Sequence, residues 1–385
     1  MNAPATHAPV LSTLQLRSSA GLYGADRMVL ALDRGLARAG VRSRLLSINN
    51  YRMHGQPLHE TASAAGHDAL LLPCRGRIDL GTVTALAGQI SAAGPGAIVH
   101  SHDYKSAFYA WLATRAQPAH LVATLHGWVE GTSSLRLYAR LELALLRRFD
   151  ALVAVSADQV ARLVDAGVPR SRVHCIDNGI DFPVADANGA AMLRDELGIP
   201  GDARVFGAVA RLSPEKNLAM LLQAFAPVAR QAPGAVLLLV GDGPERGSLE
   251  RLAEELGLGT QVRFLGSHDH MGAIYALIDC LVLPSLTEGM PLVVLEAMAC
   301  GIPVMASAVG DIPRLLAHAE HGRLVPAGDR DALQVALAEA ASLPRRVDLP
   351  ARRYAREHHG AQSMAARYLD LYLRLQGKTH DRRAS

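Results

Sequence analysis

The sequence predicts an α/β protein built from two doubly wound parallel sheets. Three observations carry this expectation. Short apolar runs of strand length alternate with longer stretches of helical periodicity. The alternation is completed twice, once in each half of the chain. The 385 residues, half of them hydrophobic, suffice for two cores of ordinary size.

In the first half, a strand precedes the turn SSAGLYG (18–24), and RMVLALDRGLARAG (27–40) reads as a helix closed by Gly40. AIVHSH (97–102), HLVATLH (120–126) and ALVAVS (151–156) read as buried strands, with a helix in SLRLYARLELALLRRF (134–149). In the second half, RVFGAVARL (204–212), AVLLLVGDG (235–243), VRFLGS (262–267), CLVLPSL (280–286) and IPVMASA (302–308) are strands. NLAMLLQAFAPVARQ (217–231), GSLERLAEELG (247–257), HMGAIYALI (270–278) and PLVVLEAMAC (291–300) are the helices between them. The polar, Gly/Ala-rich stretch 185–203 reads as a linker, placing one domain in 1–183 and the other in 184–355. A last helix or helix pair lies near 356–376, and the polar tail 377–385 is expected to be disordered.

Composition excludes several classes. With 39 basic against 36 acidic residues the net charge is +3, and the aromatics are few and scattered, so no nucleic-acid surface is expected. Cys74, Cys175, Cys280 and Cys300 form no CxxC pair and read as small buried apolar residues in a reducing compartment. The N-terminus lacks the pattern of a signal peptide, and no run of apolar residues is long enough to span a bilayer. A cytoplasmic location is expected.

Four stretches carry chemistry. In SLTEGMPLVVLEAMACGIP (285–303), Pro291 suits the first position of a helix that Gly301 closes and Pro303 blocks. Its free N–H groups beside Glu288, Gly289 and Met290 suit a polar or anionic ligand. Glu296 sits inside the apolar part of that helix, where a carboxylate needs a partner. That partner is either a pair of ligand hydroxyls, as on a ribose, or a buried structural ion pair. In GAVARLSPEKNLAMLL (207–222), Arg211 and Lys216 share a strand-to-helix loop; they either form a diphosphate receptor or belong to a solvated basic loop. Gly21 and Gly24 flank the first strand-to-helix turn, a weak phosphate-binding signal because it is not GxGxxG. His126 ends the strand of VATLHGWVEG, and His100, His102 and Asp103 end that of IVHSHDYKS; a structural role competes for His126, and the spacing argues against a metal site. Asp329 in the single Asp-x-Asp (329–331) is placed to cap the following helix.

Taken in order, TLHG, ALVAVSADQVARLVDAGVPRSRVHCIDNGID, GAVARLSPEKN, LLLVGDGPE, VRFLG, SLTEGMPLVVLEAMACGIPVMAS and GRLVPAGD resemble segments of the retaining glycosyltransferases known as group 1 or family 4, over about residues 15–375. Glu288 and Glu296 match that family's E-x7-E. The resemblance implies the GT-B fold, two Rossmann-like doubly wound domains with a cleft between them, and a last helix packing back on the first. It implies that Glu296 binds the donor ribose, and that Arg211 and Lys216 hold the diphosphate. It further implies that Glu288 with Gly289, Met290 and Pro291 grips the sugar, His126 reaches that sugar, Gly24 lies beside the diphosphate and Leu265 beside the base. Where the family has GGAE this chain has Tyr23-Gly24-Ala25-Asp26, with Gly21 left to supply flexibility.

The implied reaction moves a sugar, with retention, from a nucleoside-diphosphate sugar to a hydroxyl of a glycan or lipid-linked acceptor. UDP is favoured over GDP on family frequency. Arg211 and Lys216 replace a metal, so no metal or other cofactor is expected. Arg136 and Arg140 share a helix face that either meets anionic lipid at the inner membrane surface or is simply solvated. An epimerase, a phosphorylase or a non-catalytic nucleotide-sugar binder remain alternatives; a dehydrogenase is excluded because VGDGPE is no GxGxxG.

Overall fold

The computed structural model describes residues 11–19, 21–126, 143–268 and 270–384. The chain divides into two compact units, Met1–Gly179 with Ala361–Ser385, and Ile180–Gly360.

The first unit holds seven parallel strands: β1 (Ser12–Arg17), β2 (Arg42–Ile48), β3 (Ala69–Leu72), β4 (Ile98–Ser101), β5 (His120–Leu125), β6 (Ala151–Ala154) and β7 (Val173–Cys175). Their spatial order is β3-β2-β1-β4-β5-β6-β7. Every neighbouring pair is parallel, which requires a crossover between consecutive strands. Parallel strands are covered on both faces, hence the nearly unbroken apolar runs; Leu16, Val99, Tyr109, Phe149 and Leu152 meet in one core. Each large side chain buried there contributes roughly 1.5–3 kcal/mol.

The second unit repeats the design with β8 (Arg204–Val209), β9 (Ala235–Val240), β10 (Val262–Gly266), β11 (Cys280–Leu283), β12 (Val304–Ser307) and β13 (Arg323–Val325). The order is β10-β9-β8-β11-β12-β13, again all parallel. Phe206, Leu221, Phe225, Leu237, Leu239 and Val282 anchor its core. The edge strands β7 and β13, three residues each, are too short to show in sequence periodicity.

Two helices end the chain, the second of the two arrangements expected there. Leu349–His358 belongs to the second unit, and Ala361–Ala384 to the first. The latter lies close against the helix Gly24–Arg38: a Cβ on Gly35 would stand 2.6 Å from the Ala365 Cβ, so only glycine admits this approach. The last helix runs to Ala384, over most of the tail expected to be disordered. Cys175 is exposed on its edge strand, against the expectation of burial, whereas Cys74 and Cys280 are buried. Arg136 and Arg140 lie outside the described residues. No helix among the described residues is long and apolar enough to cross a membrane.

Candidate functional site

In the second unit the direction of strand succession reverses between β8 and β11. Loops leaving the carboxyl ends of two such strands part to opposite sides, which opens a crevice where ligands of doubly wound sheets bind. Residues 210–217 follow β8, and residues 284–291 follow β11.

The β8 loop is held by its neighbours' backbones. Ala210 N donates to Val240 O at 3.0 Å, and Leu212 N to Asp242 O at 3.0 Å. A Cβ on Gly241 would stand 1.9 Å from Ala210 O, and one on Gly243 2.3 Å from Leu212 O. The glycines of VGDGPE are thus spacers between two loops. A 3-10 turn, Pro214–Lys216, follows, and Asn217 takes the left-handed conformation at φ 52° before the helix Leu218–Gln231.

The two loops meet through Lys216. Its Nζ lies 2.6 Å from Glu288 Oε1, and the buried Ser285 hydroxyl donates to the same oxygen at 2.7 Å. Leu286 N donates to Glu215 O at 2.9 Å, fastening one loop to the other. Burial raises the Glu215 pKa, but the Ser213 hydroxyl at 2.6 Å, a backbone N–H and the nearby Lys216 and Arg211 charges outweigh it and leave the pKa lowered. Arg211 is exposed on the β8 loop, so both predicted cations bear on one place and on one unpredicted carboxylate.

Beneath Glu288 the backbone has no slack. Asp311 N donates to Gly289 O at 2.9 Å, and a Cβ on Gly310, at φ 54°, would stand 2.2 Å from Glu288 O. Met290 and Pro291 are buried. Pro291 caps the helix Leu292–Cys300, one position earlier than expected, and Gly301 closes it at φ 78°. The extended ψ of 122° at Pro291 keeps that residue outside the helix.

Glu296 is 9% exposed, and the Tyr275 hydroxyl donates to its Oε2 at 2.5 Å. Tyr275 comes from the helix Met271–Leu277 and is itself buried. Leu265 is half-buried near the end of β10, at the register shift between Phe264 and Gly266.

The remaining predicted residues lie in the first unit, around its own reversal between β1 and β4. Arg17, ending β1, donates to Asp26 Oδ1 at 2.8 Å and to His102 O at 2.5 Å. Ser19 Oγ and Tyr23 N donate to Asp26 Oδ2 at 3.0 and 2.9 Å. The aspartate in YGAD therefore ties down its own turn. Tyr23 folds over Gly21, where a Cβ would stand 2.6 Å from the ring; Gly24, exposed, opens the helix. His126 Nε2 lies 3.2 Å from His102 Nδ1, and His102 Nε2 lies 2.9 Å from Gln15 Oε1. Burial above all lowers the pKa of His102 and of His126 well below the ordinary 6.5, and the Arg17 charge adds to both.

Sequence reasoning missed Ser285, Glu215, Tyr275 and the His102–Gln15 contact. Ser285 stands three residues before Glu288, a spacing that turns commonly use. Tyr275 carries no local signal, since only packing brings its helix to Glu296. Asp329 accepts from Ala332 N at 2.9 Å and caps the helix Arg330–Ser342, which accounts for the Asp-x-Asp.

Paired doubly wound sheets, each with tethered loops at its reversal, define a two-unit α/β architecture with ligand-type crevices. The family model for glycosyl transferases group 1 matches residues 191–358, and that for glycosyltransferase family 4 matches residues 23–182. The chain is 31% identical over 306 residues to the putative glycosyltransferase EpsF of Bacillus subtilis, covering 76% of this chain and 78% of that one. It is 30% identical over 286 residues to N-acetyl-alpha-D-glucosaminyl L-malate synthase of Bacillus anthracis, covering 71% and 74%. Anabaena HepE, solved in complex with UDP and glucose, superposes with a TM-score of 0.80 at 21% identity, covering 94% of this chain and 99% of that one. The chain belongs to the group 1 glycosyltransferases and has their GT-B fold.

Proposed function

We propose that this glycosyltransferase moves a sugar from a nucleoside-diphosphate sugar to a hydroxyl of a glycan or lipid-linked acceptor, retaining the anomeric configuration. The observation that carries this reading is the meeting of Lys216 and Glu288, 2.6 Å apart at the reversal of the second sheet. A cation and a carboxylate held side by side suit the two halves of a sugar diphosphate, one anionic and one rich in hydroxyls.

In this reading Lys216 and Arg211 stabilise the charge that grows on the departing diphosphate. Glu288 and the backbone at Gly289, Met290 and Pro291 take the sugar hydroxyls. Glu296, oriented by Tyr275, takes the ribose hydroxyls, and Leu265 lies by the base. His126 serves the sugar and the backbone at Gly21 and Gly24 the diphosphate. The leaving oxygen helps deprotonate the acceptor on the face it departs from, which gives retention. Two fixed cations do the work of a metal, so none is required; the Asp-x-Asp, with Asp329 capping a helix, supports this.

A uridine donor is favoured: HepE was also solved with UDP-glucose. GDP remains the competitor, because a GDP-mannose-dependent phosphatidylinositol monomannoside mannosyltransferase of Mycolicibacterium smegmatis is 29% identical over 287 residues. That relative's name, with its phosphatidylinositol monomannoside acceptor, also supports a lipid-linked acceptor; work at the inner membrane face in cell-surface polysaccharide or glycolipid synthesis is part of the same proposal. Melting curves with UDP-, GDP- and ADP-sugars test the donor, and NMR of the product reads the anomer. A rise with one nucleotide series and a retained anomer are expected. No rise with any series overturns the reading.

A further inference from the structure

The first unit buries a chain of polar rings that the roles above leave unexplained. Gln15 on β1 and His102 after β4 are 0% and 1% exposed, and neither reaches solvent. Most buried polar nitrogens are hydrogen-bonded, and in a neutral imidazole the bond made by one nitrogen decides the proton on the other. With the amide oriented as in the structure, Gln15 turns Oε1 toward His102 Nε2 at 2.9 Å and leaves its own Nε2 without a hydrogen bond, so His102 Nε2 donates. His102 Nδ1 is then the bare nitrogen. Facing it at 3.2 Å, His126 Nε2 has to be the donor.

We infer that Gln15 and His102 act as positioning residues that fix the tautomer of His126, with the proton on Nε2 and the lone pair on Nδ1. The rings' surroundings keep the scheme neutral: burial first, then neighbouring charges including Arg17, lowers the pKa of both histidines. Orientation is fixed as well. The His100 ring lies 4.0 Å from that of His102, between centroids. His100 is itself bonded through Nδ1 to the Tyr372 hydroxyl at 2.7 Å and through Nε2 to Thr124 Oγ1 at 2.7 Å. The C-terminal helix thereby braces the ring stack from behind.

The consequence for the reaction rests on the role proposed for His126. A bare Nδ1 accepts a hydrogen bond from a sugar hydroxyl, whereas Nδ1–H would donate to a phosphate oxygen. The tautomer thus selects which part of the donor His126 can serve.

Long-range proton–nitrogen correlation spectra of protein labelled with 15N-histidine distinguish protonated from bare ring nitrogens. The His126 peaks are those missing from His126→Gln. A protonated Nε2 and bare Nδ1 are expected in the native protein; a proton on Nδ1 overturns the inference. In Gln15→Met, which keeps the volume but removes the acceptor, the His126 pattern is expected to shift toward a mixture of tautomers. An unchanged pattern in a folded Gln15→Met protein also overturns it. Sugar-transfer rates on the same samples test the other premise. A shifted tautomer with unchanged turnover and KM leaves the relay standing and removes His126 from the reaction.

Discussion

Lys216 Nζ and Glu288 Oε1 lie 2.6 Å apart although 72 residues separate them in the chain. Their side chains are 20% and 9% exposed, so the pair is screened far less than a surface ion pair. An arriving diphosphate must draw Lys216 away from, or share it with, a carboxylate already in place. Lys216→Ala is expected to lower turnover by about 10²–10³-fold. Glu288 keeps the Ser285 hydroxyl, so the stability loss should stay within about 1–3 kcal/mol. Steady-state transfer assays with urea unfolding check both, and wild-type turnover in the folded variant would reject the assignment.

Tyr275 and Glu296 separate stability from binding. Tyr275→Phe takes a hydrogen-bond donor from a buried carboxylate and is expected to destabilise by about 1–3 kcal/mol. Glu296→Leu removes the carboxylate from its apolar helix but takes that acceptor from the buried Tyr275 hydroxyl, so the variant is expected to fold with a loss of about 1–3 kcal/mol. Calorimetric titration with UDP should show binding lost in Glu296→Leu; undiminished binding would leave Glu296 a purely structural residue.

Glycine positions offer a graded test of the loop geometry. Gly241 has φ 132°, and its added Cβ would stand 1.9 Å from Ala210 O. Gly241→Ala is expected to destabilise the second unit by about 3 kcal/mol or more. Gly198 has φ 62° but nothing within 4 Å of an added Cβ, so Gly198→Ala should cost only about 1 kcal/mol. Equal denaturation midpoints for the two variants would contradict the close approach of the loops.

The histidine stack predicts an acid-labile first unit. Burial pushes His100 down to about 3, and His102 and His126 well below 6.5. Folded rings stay neutral while unfolded ones titrate near 6.5, so the unfolded chain binds more protons throughout that interval. Stability should therefore be intact above about pH 6.5 and fall as pH drops toward 3, by up to about 1.4 kcal/mol per pH unit for each histidine. Urea unfolding at stepped pH should show this slope, reduced by about one proton in His100→Gln. A flat profile from pH 7 to 5 would refute it.

Chelation tests the metal-free reading. Dialysis against EDTA is expected to leave sugar transfer unchanged; activity lost on dialysis and restored by magnesium would show that Arg211 and Lys216 do not suffice.

The strand–helix alternation was legible because parallel strands, covered on both faces, must be apolar throughout. Glu288, Lys216 and Glu296 were legible as charges at strand ends or inside apolar helices. What completes them was not. Tyr275 reaches Glu296 across a helix boundary, and Gly310 and Gly241 matter only because distant backbones press on them. His100 and His102 alternate by two, the spacing that puts both on one face of a strand, yet their partners Tyr372 and Gln15 come from opposite ends of the chain.

The first unit is discontinuous, with the whole stretch Ile180–Gly360 threaded between its sheet and its last helix. During synthesis, at about 5–20 residues per second, that insertion delays Tyr368 and Tyr372 by roughly ten to forty seconds. Through that interval the nascent sheet holds Thr124 and His100 without the hydroxyls that later bond them at 2.9 and 2.7 Å. The half made first is finished last, so a truncation between residues 180 and 368 should leave the first sheet formed but without the helix that supplies its tyrosine hydroxyls.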